Sequence, residues 1–184
     1  MSVDEGSIHG RFQPFHRGHL EYAIASAARC EVLWVGITQP ASGALRDGVD
    51  QPQHRHRGVD NPLTYWERLV VITAALRAAG VAAERLRIVP FPIEEPASLS
   101  EYMPASVMAF TTVYDEWNRR KIQLLRDVGY SVTVLWERDQ KVYSGGDVRK
   151  LMREGDPAWR DSVPEGALQA LDRLRIPARL RLGE

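Results

Sequence analysis

The chain has 184 residues, 44% of them hydrophobic and 26% charged, the balance of one soluble globular domain. Its 24 Lys and Arg offset 24 Asp and Glu, which excludes the global basic field of a nucleic-acid-binding or membrane-surface protein. A lone Cys30 excludes an intramolecular disulfide or a cysteine-cluster zinc site, and no apolar run reaches the length of a bilayer span. Residues 1–6 are polar and acidic rather than a secretory leader, so a soluble, cytoplasmic protein is expected.

A first strand is expected over residues 7–11. It leads through Gly10-Arg11-Phe12-Gln13-Pro14-Phe15-His16-Arg17-Gly18-His19 into a helix over 20–29. Pro14 prevents the strand from continuing. A glycine-bearing turn that feeds a helix N-terminus gathers unpaired N–H groups at the positive end of the helix dipole. His16 and His19 add donors that can follow charge as it develops. The bland alternative is that both histidines cap and pack. Gly, Pro, Arg and two His crowded together do little for a core, and the stretch reads as a phosphate site. Cys30, between this helix and the next strand, reads as a small buried residue.

Residues 31–38 are almost continuously apolar, as in a strand covered on both faces. Residues 39–60 are rich in Gly, Pro, Asp, Gln and His and read as a long loop. Within it His54 and His56 alternate with arginines that would repel a cation, so a solvated loop, or one closing over an anion, fits better than a metal site. Thr64 and Glu67 are spaced as a capping box. The helix they open carries Leu69, Ile72 and Leu76 at helical spacing and stops at Gly80. A third strand is expected over 87–91, a loop or short helix over 94–104, and a fourth strand over 107–113. Asp115 can cap a helix running to about residue 128, before a fifth, edge-like strand over 131–136.

A second glycine turn, Tyr143-Ser144-Gly145-Gly146-Asp147-Val148-Arg149, precedes a helix over 148–154. Ser144 can cap that helix or bind a phosphate, and Arg149, one turn in, can reach the same anion. An amphipathic helix is expected over 163–174, and the basic–apolar tail at 179–182 is expected to fray. Alternating strands and helices imply an α/β fold: a doubly wound open parallel sheet, Rossmann-like, with C-terminal helices. One domain, 1–184, would comprise the sheet core (7–140), the second turn with the C-terminal helices (141–176) and the tail (177–184). In such sheets ligands bind beyond the carboxyl ends of the strands at the switch point. There two helix N-termini can hold two ends of a polyphosphate.

Gly10 to His19 resembles the signature of the HxGH nucleotidyltransferase superfamily, in particular that of the archaeal-type nicotinamide-nucleotide adenylyltransferases. Asn61-Pro62-Leu63-Thr64 with Glu67 and Arg68 is similar to a second segment of that family. Tyr143-Ser144-Gly145 with Arg149 is similar to its second phosphate motif, and Val163-Pro164 to its C-terminal helix entry. The resemblance covers nearly the whole chain. It implies direct displacement at the α-phosphorus of a nucleoside triphosphate by a phosphate oxygen of a small phosphorylated acceptor. Pyrophosphate leaves with Mg²⁺, bound mainly through the triphosphate and not by a dedicated protein site. By position, His16, His19 and Arg149 would be catalytic. Gly10, Arg11, Phe12, Gln13, Gly18, Ser144 and Gly145 would bind nucleotide and phosphates. Glu94, Tyr114, Trp117 and Arg120 would contact acceptor or base. Oligomeric state, a homo-oligomer included, stays open.

Three departures from that family stand out. Gly146 replaces a threonine of the second phosphate motif. Residues 93–102 contain neither the Asn nor the Trp that recognise nicotinamide in the family, and losing the polar groups of a carboxamide site argues for another acceptor. Residues 112–120 replace a shorter loop, and Trp117 could stack on a base or pack on the sheet. The family default is therefore ATP with nicotinamide mononucleotide. The alternative is CTP with a phosphonate or another phosphorylated metabolite of specialised metabolism. A catalytically silent nucleotide-binding regulator is the reading from another class. Retention of both histidines and Arg149 argues against it.

Overall fold

The apolar run Cys-Glu-Val-Leu-Trp-Val-Gly-Ile forms strand β2 (Cys30–Ile37), with Leu33, Val35 and Ile37 fully buried on one face and Trp34 packed on the core of the other, as a strand covered on both faces requires. It lies inside a five-stranded sheet of order β3-β2-β1-β4-β5, with β1 at Val3–Gly10, β3 at Leu86–Pro90, β4 at Met108–Val113 and β5 at Val132–Glu137. All four pairings are parallel. The computed structural model describes residues 2–41 and 60–183. The expected loop over 39–60, with His54 and His56, therefore lies largely outside the described residues.

Helices α1 (Arg17–Ala27), α2 (Tyr65–Ala78), α3 (Leu99–Tyr102), α4 (Glu116–Asp127), α5 (Gly145–Glu154), α6 (Glu165–Arg173) and α7 (Ile176–Leu182) complete the fold. They cover both faces of the sheet, so the expected doubly wound sheet with C-terminal helices is what forms. The larger core joins Ile8, Phe12 and Phe15 to α1, α2 and α5 to α7, including Ile72, Val148, Leu171 and Ile176. A smaller one on the opposite side gathers Phe91, Leu99, Met103, Ala109, Leu125 and Tyr130. β4 serves both, since Ala109 points to one core and Phe110 to the other, with the period of two that a pleated strand imposes. Among the described residues no helix is long and apolar enough to cross a membrane.

Boundaries shift where a cap begins a helix early. α1 starts at Arg17 because His16 caps it, and α5 at Gly145 because Ser144 caps it. The Thr64–Glu67 capping box of α2 forms as expected. The C-terminal tail is a correction. Residues expected to fray form α7, with Ile176 and Leu180 buried one turn apart. Arg179 pairs with Glu67 at 2.6 Å and donates to the Pro62 carbonyl at 2.9 Å. The tail is ordered by the surface of the Asn61–Glu67 segment beneath it, a partner more than a hundred residues away in sequence.

Candidate active site

β1 and β4 are in register only at Gly6↔Met108 and Ser7↔Ala109. Beyond Ser7 the two strands part, and this parting is the topological switch point. Side chains from the flanking helices take over the freed carbonyls. Tyr22 donates to the Phe110 carbonyl, and Lys121 Nζ donates to the His9 carbonyl at 3.4 Å. Above this floor lies a cleft of about 360 Å³.

The first wall of the cleft is the turn into α1. His16 is extended (φ −116°, ψ 175°), and its Nδ1 accepts from the His19 N–H at 3.3 Å. His19 Nδ1 in turn accepts from the His16 N–H at 3.3 Å, a reciprocal capping box. The rings stack with centroids 3.6 Å apart, and His19 packs against Phe12 and Phe15. A ring nitrogen that accepts carries no proton, so in each neutral imidazole the proton sits on Nε2, which becomes a donor. The capping reading and the phosphate reading are thus compatible, since they use different nitrogens. Burial, with the Lys141 charge, lowers the His16 pKa to about 4. His19 falls well below its ordinary value, through burial first and then the charges of His16, Lys141 and Arg11, against a backbone hydrogen bond at Pro14 that raises it. Both rings are neutral at pH 7, held in a cationic field that an anion would relieve.

The second wall is the N-terminus of α5. Ser144 Oγ accepts from the Gly146 and Asp147 N–H groups at 3.2 and 3.5 Å, which leaves its hydroxyl proton available to donate. The two turns are laced together. Arg149 Nη1 donates to the Gln13 carbonyl at 2.6 Å, and its Nη2 pairs with Asp60 at 2.8 Å. A Cβ on Gly145 would lie 2.9 Å from that same Gln13 oxygen, so only glycine allows the approach. Arg149 is 4% exposed, and its Nε–H has no hydrogen-bond partner among the described residues. Its pKa is lowered by burial, and Asp60 opposes the shift. A buried guanidinium with a free N–H at the lip of a cleft is suited to an anion.

Support comes from behind. Arg68, 1% exposed, donates to the carbonyls of Arg11 (3.1 Å), Thr38 (2.8 Å) and Gln39 (2.7 Å), and so ties the ends of β1 and β2 together. Its pKa is lowered to about 10, chiefly by burial. The Gln13 amide exchanges two 2.9 Å hydrogen bonds with the Leu63 backbone, and Arg11 donates to Asn61 at 3.2 Å. The Gln13 side chain therefore braces the turn, and what Gln13 presents at the second wall is its carbonyl.

Gly10, Arg11, Phe12, Gln13, His16, Gly18, His19, Tyr114, Trp117, Ser144, Gly145 and Arg149 all line the cleft. Two residues expected as acceptor or base contacts do not. Glu94 is half-buried, and its charge acts on Arg68 behind the turn. Arg120 is exposed on α4, whose cleft-facing side carries Trp117, Asn118 and Lys121 instead. The helical period decides this: Trp117, Lys121 and buried Leu125 are four residues apart, and Arg120 falls off that face. Sequence reasoning also missed Arg138 and Lys141. Arg138 forks onto Glu21 at 2.7 and 3.2 Å and lies 4.7 Å from the Trp136 ring centroid. Lys141 pairs with Asp115 at 3.2 Å. Tyr114 is positioned by the Trp136 Nε1–H, 2.9 Å from its hydroxyl. Among the described residues no three His, Cys, Asp or Glu side chains are grouped to hold a metal ion.

A comparison with protein-family models gives no match. The chain is 43% identical over 178 residues to a phosphonoformate cytidylyltransferase of Streptomyces viridochromogenes, covering 96% of this chain and 95% of that one. It is 30% identical over 173 residues to a nicotinamide-nucleotide adenylyltransferase of Ignicoccus hospitalis, covering 94% and 93%. Among solved structures, a bifunctional NMN adenylyltransferase/ADP ribose pyrophosphatase from Francisella tularensis matches with a TM-score of 0.59 at 17% identity. That match covers 83% of this chain and 43% of the other, and it supports the fold. The laced turns and the full-length relatives agree: the chain belongs to the nucleotidyltransferase superfamily that includes the archaeal nicotinamide-nucleotide adenylyltransferases and phosphonoformate cytidylyltransferase, and it is a nucleotidyl-transferring enzyme.

Proposed function

We propose that this enzyme moves a cytidylyl group from CTP to a small phosphonate of the phosphonoformate type. The observation that carries the reading is the 43% identity, over nearly the full length of both chains, to phosphonoformate cytidylyltransferase. The acceptor side of the cleft supports it. The segment after β3 contributes Ile93, with neither Asn nor Trp in residues 93–102 to satisfy a carboxamide. ATP with nicotinamide mononucleotide is the second reading, favoured by adenylyltransferase relatives at 28–31% identity.

In either case an acceptor P–O⁻ oxygen bonds to the α-phosphorus. The bond from that phosphorus to the α–β bridging oxygen breaks, and pyrophosphate leaves with the electron pair. The Nε2–H groups of His16 and His19 donate to the α- and β-phosphate oxygens as charge accumulates there. The Ser144 hydroxyl and the Arg149 Nε–H hold the departing pyrophosphate end, and the α1 and α5 N-termini add their dipoles. The donors gathered on these walls suit phosphate oxygens and not a cation. Mg²⁺ carried by the triphosphate, and not held by these side chains, would supply neutralisation of charge on the leaving group.

The test crosses ATP, CTP, GTP and UTP with nicotinamide mononucleotide, sugar phosphates and small phosphonates, and follows pyrophosphate release. CTP with phosphonoformate should exceed ATP with nicotinamide mononucleotide by at least about 10-fold in kcat/KM. The opposite ranking overturns the reading.

A further inference from the structure

Arg68 turns every nitrogen of its guanidinium onto backbone carbonyls. Besides those of Arg11, Thr38 and Gln39, its Nε–H reaches the Thr64 carbonyl at 3.3 Å. The side chain is 1% exposed and is not among the residues that line the cleft. A buried fork used in this way fixes the orientation of the peptide groups it holds.

Strained backbone lies at both places that Arg68 holds. Among the described residues three that are not glycine have positive φ, and two of them are Phe12 (52°) and Gln39 (50°). A bulky side chain in that region persists only where the surroundings impose it. The Arg11 carbonyl immediately precedes Phe12, and the Thr38 and Gln39 carbonyls flank the backbone of Gln39. The Phe12 ring is anchored as well, 5.6 Å from the Phe15 centroid and edge-on to His19 at 4.9 Å.

A trans peptide group is planar, with its C=O and its N–H on opposite sides. Arg68 draws the Arg11 carbonyl to the back of the turn. The Phe12 N–H of the same peptide group then points to the front, toward the cleft that Phe12 and His19 line. That N–H has no hydrogen-bond partner among the described residues.

We propose that Arg68 is a positioning residue for the transfer step. Through the Arg11 carbonyl it aims the Phe12 N–H at one of the two non-bridging oxygens of the α-phosphoryl group. The inference rests on the reading that the turn into α1 faces the triphosphate, and it holds for either acceptor. Charge gathers on those oxygens as the acceptor oxygen bonds and pyrophosphate leaves. A donor fixed beforehand stabilises that charge without reorganising. A donor on one side also makes the two oxygens inequivalent.

The experiment uses the two diastereomers of the α-thio derivative of CTP or ATP, whichever the wild type prefers. Pyrophosphate release is followed in Mg²⁺ with the preferred acceptor. Sulfur is a weak hydrogen-bond acceptor, so the wild type should use one diastereomer at least about 10-fold faster than the other. Arg68→Lys keeps the charge and loses the fork. Its kcat with the natural nucleotide should fall about 30-fold. The acceptor KM should stay within about threefold, and the diastereomer preference should shrink about 10-fold. Arg68→Met carries the same test should the lysine variant fail to fold. Turnover lost with the preference unchanged makes Arg68 a fold residue and overturns the proposal, and so does unchanged turnover. A wild type that uses both diastereomers alike overturns it too, while leaving nucleotidyl transfer intact. Full turnover by His16→Asn would instead overturn the placing of the triphosphate at this turn.

Discussion

The two sides of the cleft are built by different means. On the wall proposed to face the triphosphate, His16, His19, Ser144 and Arg149 sit on two helix N-termini. The histidines cap α1 reciprocally and Ser144 caps α5, each placed by its own short segment, while Arg149 is held from across the chain by the Gln13 carbonyl and Asp60. On the opposite wall, proposed to face the acceptor, His9 lies at the end of a strand, Ile93 follows another, and Trp117, Asn118 and Lys121 share one face of α4. Those residues meet only because β1 and β4 diverge. A locally built wall keeps its chemistry while the sequence around it changes. A wall assembled from distant elements changes its chemistry with one residue at a helical position.

His16→Asn is the most severe test of the division. Asparagine keeps an N-cap acceptor for the His19 N–H and removes the Nε2 donor. Turnover should fall about 100- to 1,000-fold, with the melting temperature nearly unchanged. A large loss of stability with turnover retained would mean that the histidine only caps.

Next comes the pH dependence of stability. An unfolded histidine takes up its proton near pH 6.5, whereas folded His16 holds out to about 4. The unfolded chain therefore binds protons first, and stability is lost as pH falls through that window and is fully present above it. The His16 share is on the order of 3 kcal/mol. It is read as the difference between denaturant unfolding of the wild type and of His16→Asn at pH 7 and pH 4.5. Parallel pH curves would refute the burial of a neutral ring.

Gly145→Ala tests the lacing. Its Cβ would press on the Gln13 carbonyl at 2.9 Å and drive the two turns apart. The nucleotide KM should rise about 10-fold, with the acceptor KM little changed. An equal rise in both would mean that the two sides are not independent. The smallest effect is expected from Gly146→Thr, which adds the hydroxyl that the resemblance to the second phosphate motif leads one to expect there. The Cβ would meet only Ser144 Oγ at 3.3 Å. Pyrophosphate, tested as a product inhibitor, should bind about twofold to fivefold more tightly.

Much of this molecule is determined by its sequence alone, wherever the determining contacts are local. The strand and helix alternation, the Thr64–Glu67 capping box, the Gly10–His19 turn and the Ser144–Arg149 turn all follow from spacings of a few residues, because caps, turns and dipoles act within one helical turn. What the tertiary structure decided depends on contacts across the chain. Arg68 stands in the sequence only as part of the Asn61–Arg68 segment, yet in the fold it is buried and donates to three carbonyls just past the ends of β1 and β2. The tail becomes α7 because Glu67 waits for Arg179. Lys121, not Arg120, enters the cleft because the exact start of α4 sets which side faces the sheet, and a shift of one residue rotates that face by about 100°. The histidines' second nitrogen is free only because their first is held by the neighbouring backbone. Local rules specify which groups can do chemistry, and packing specifies which of their atoms are left to do it.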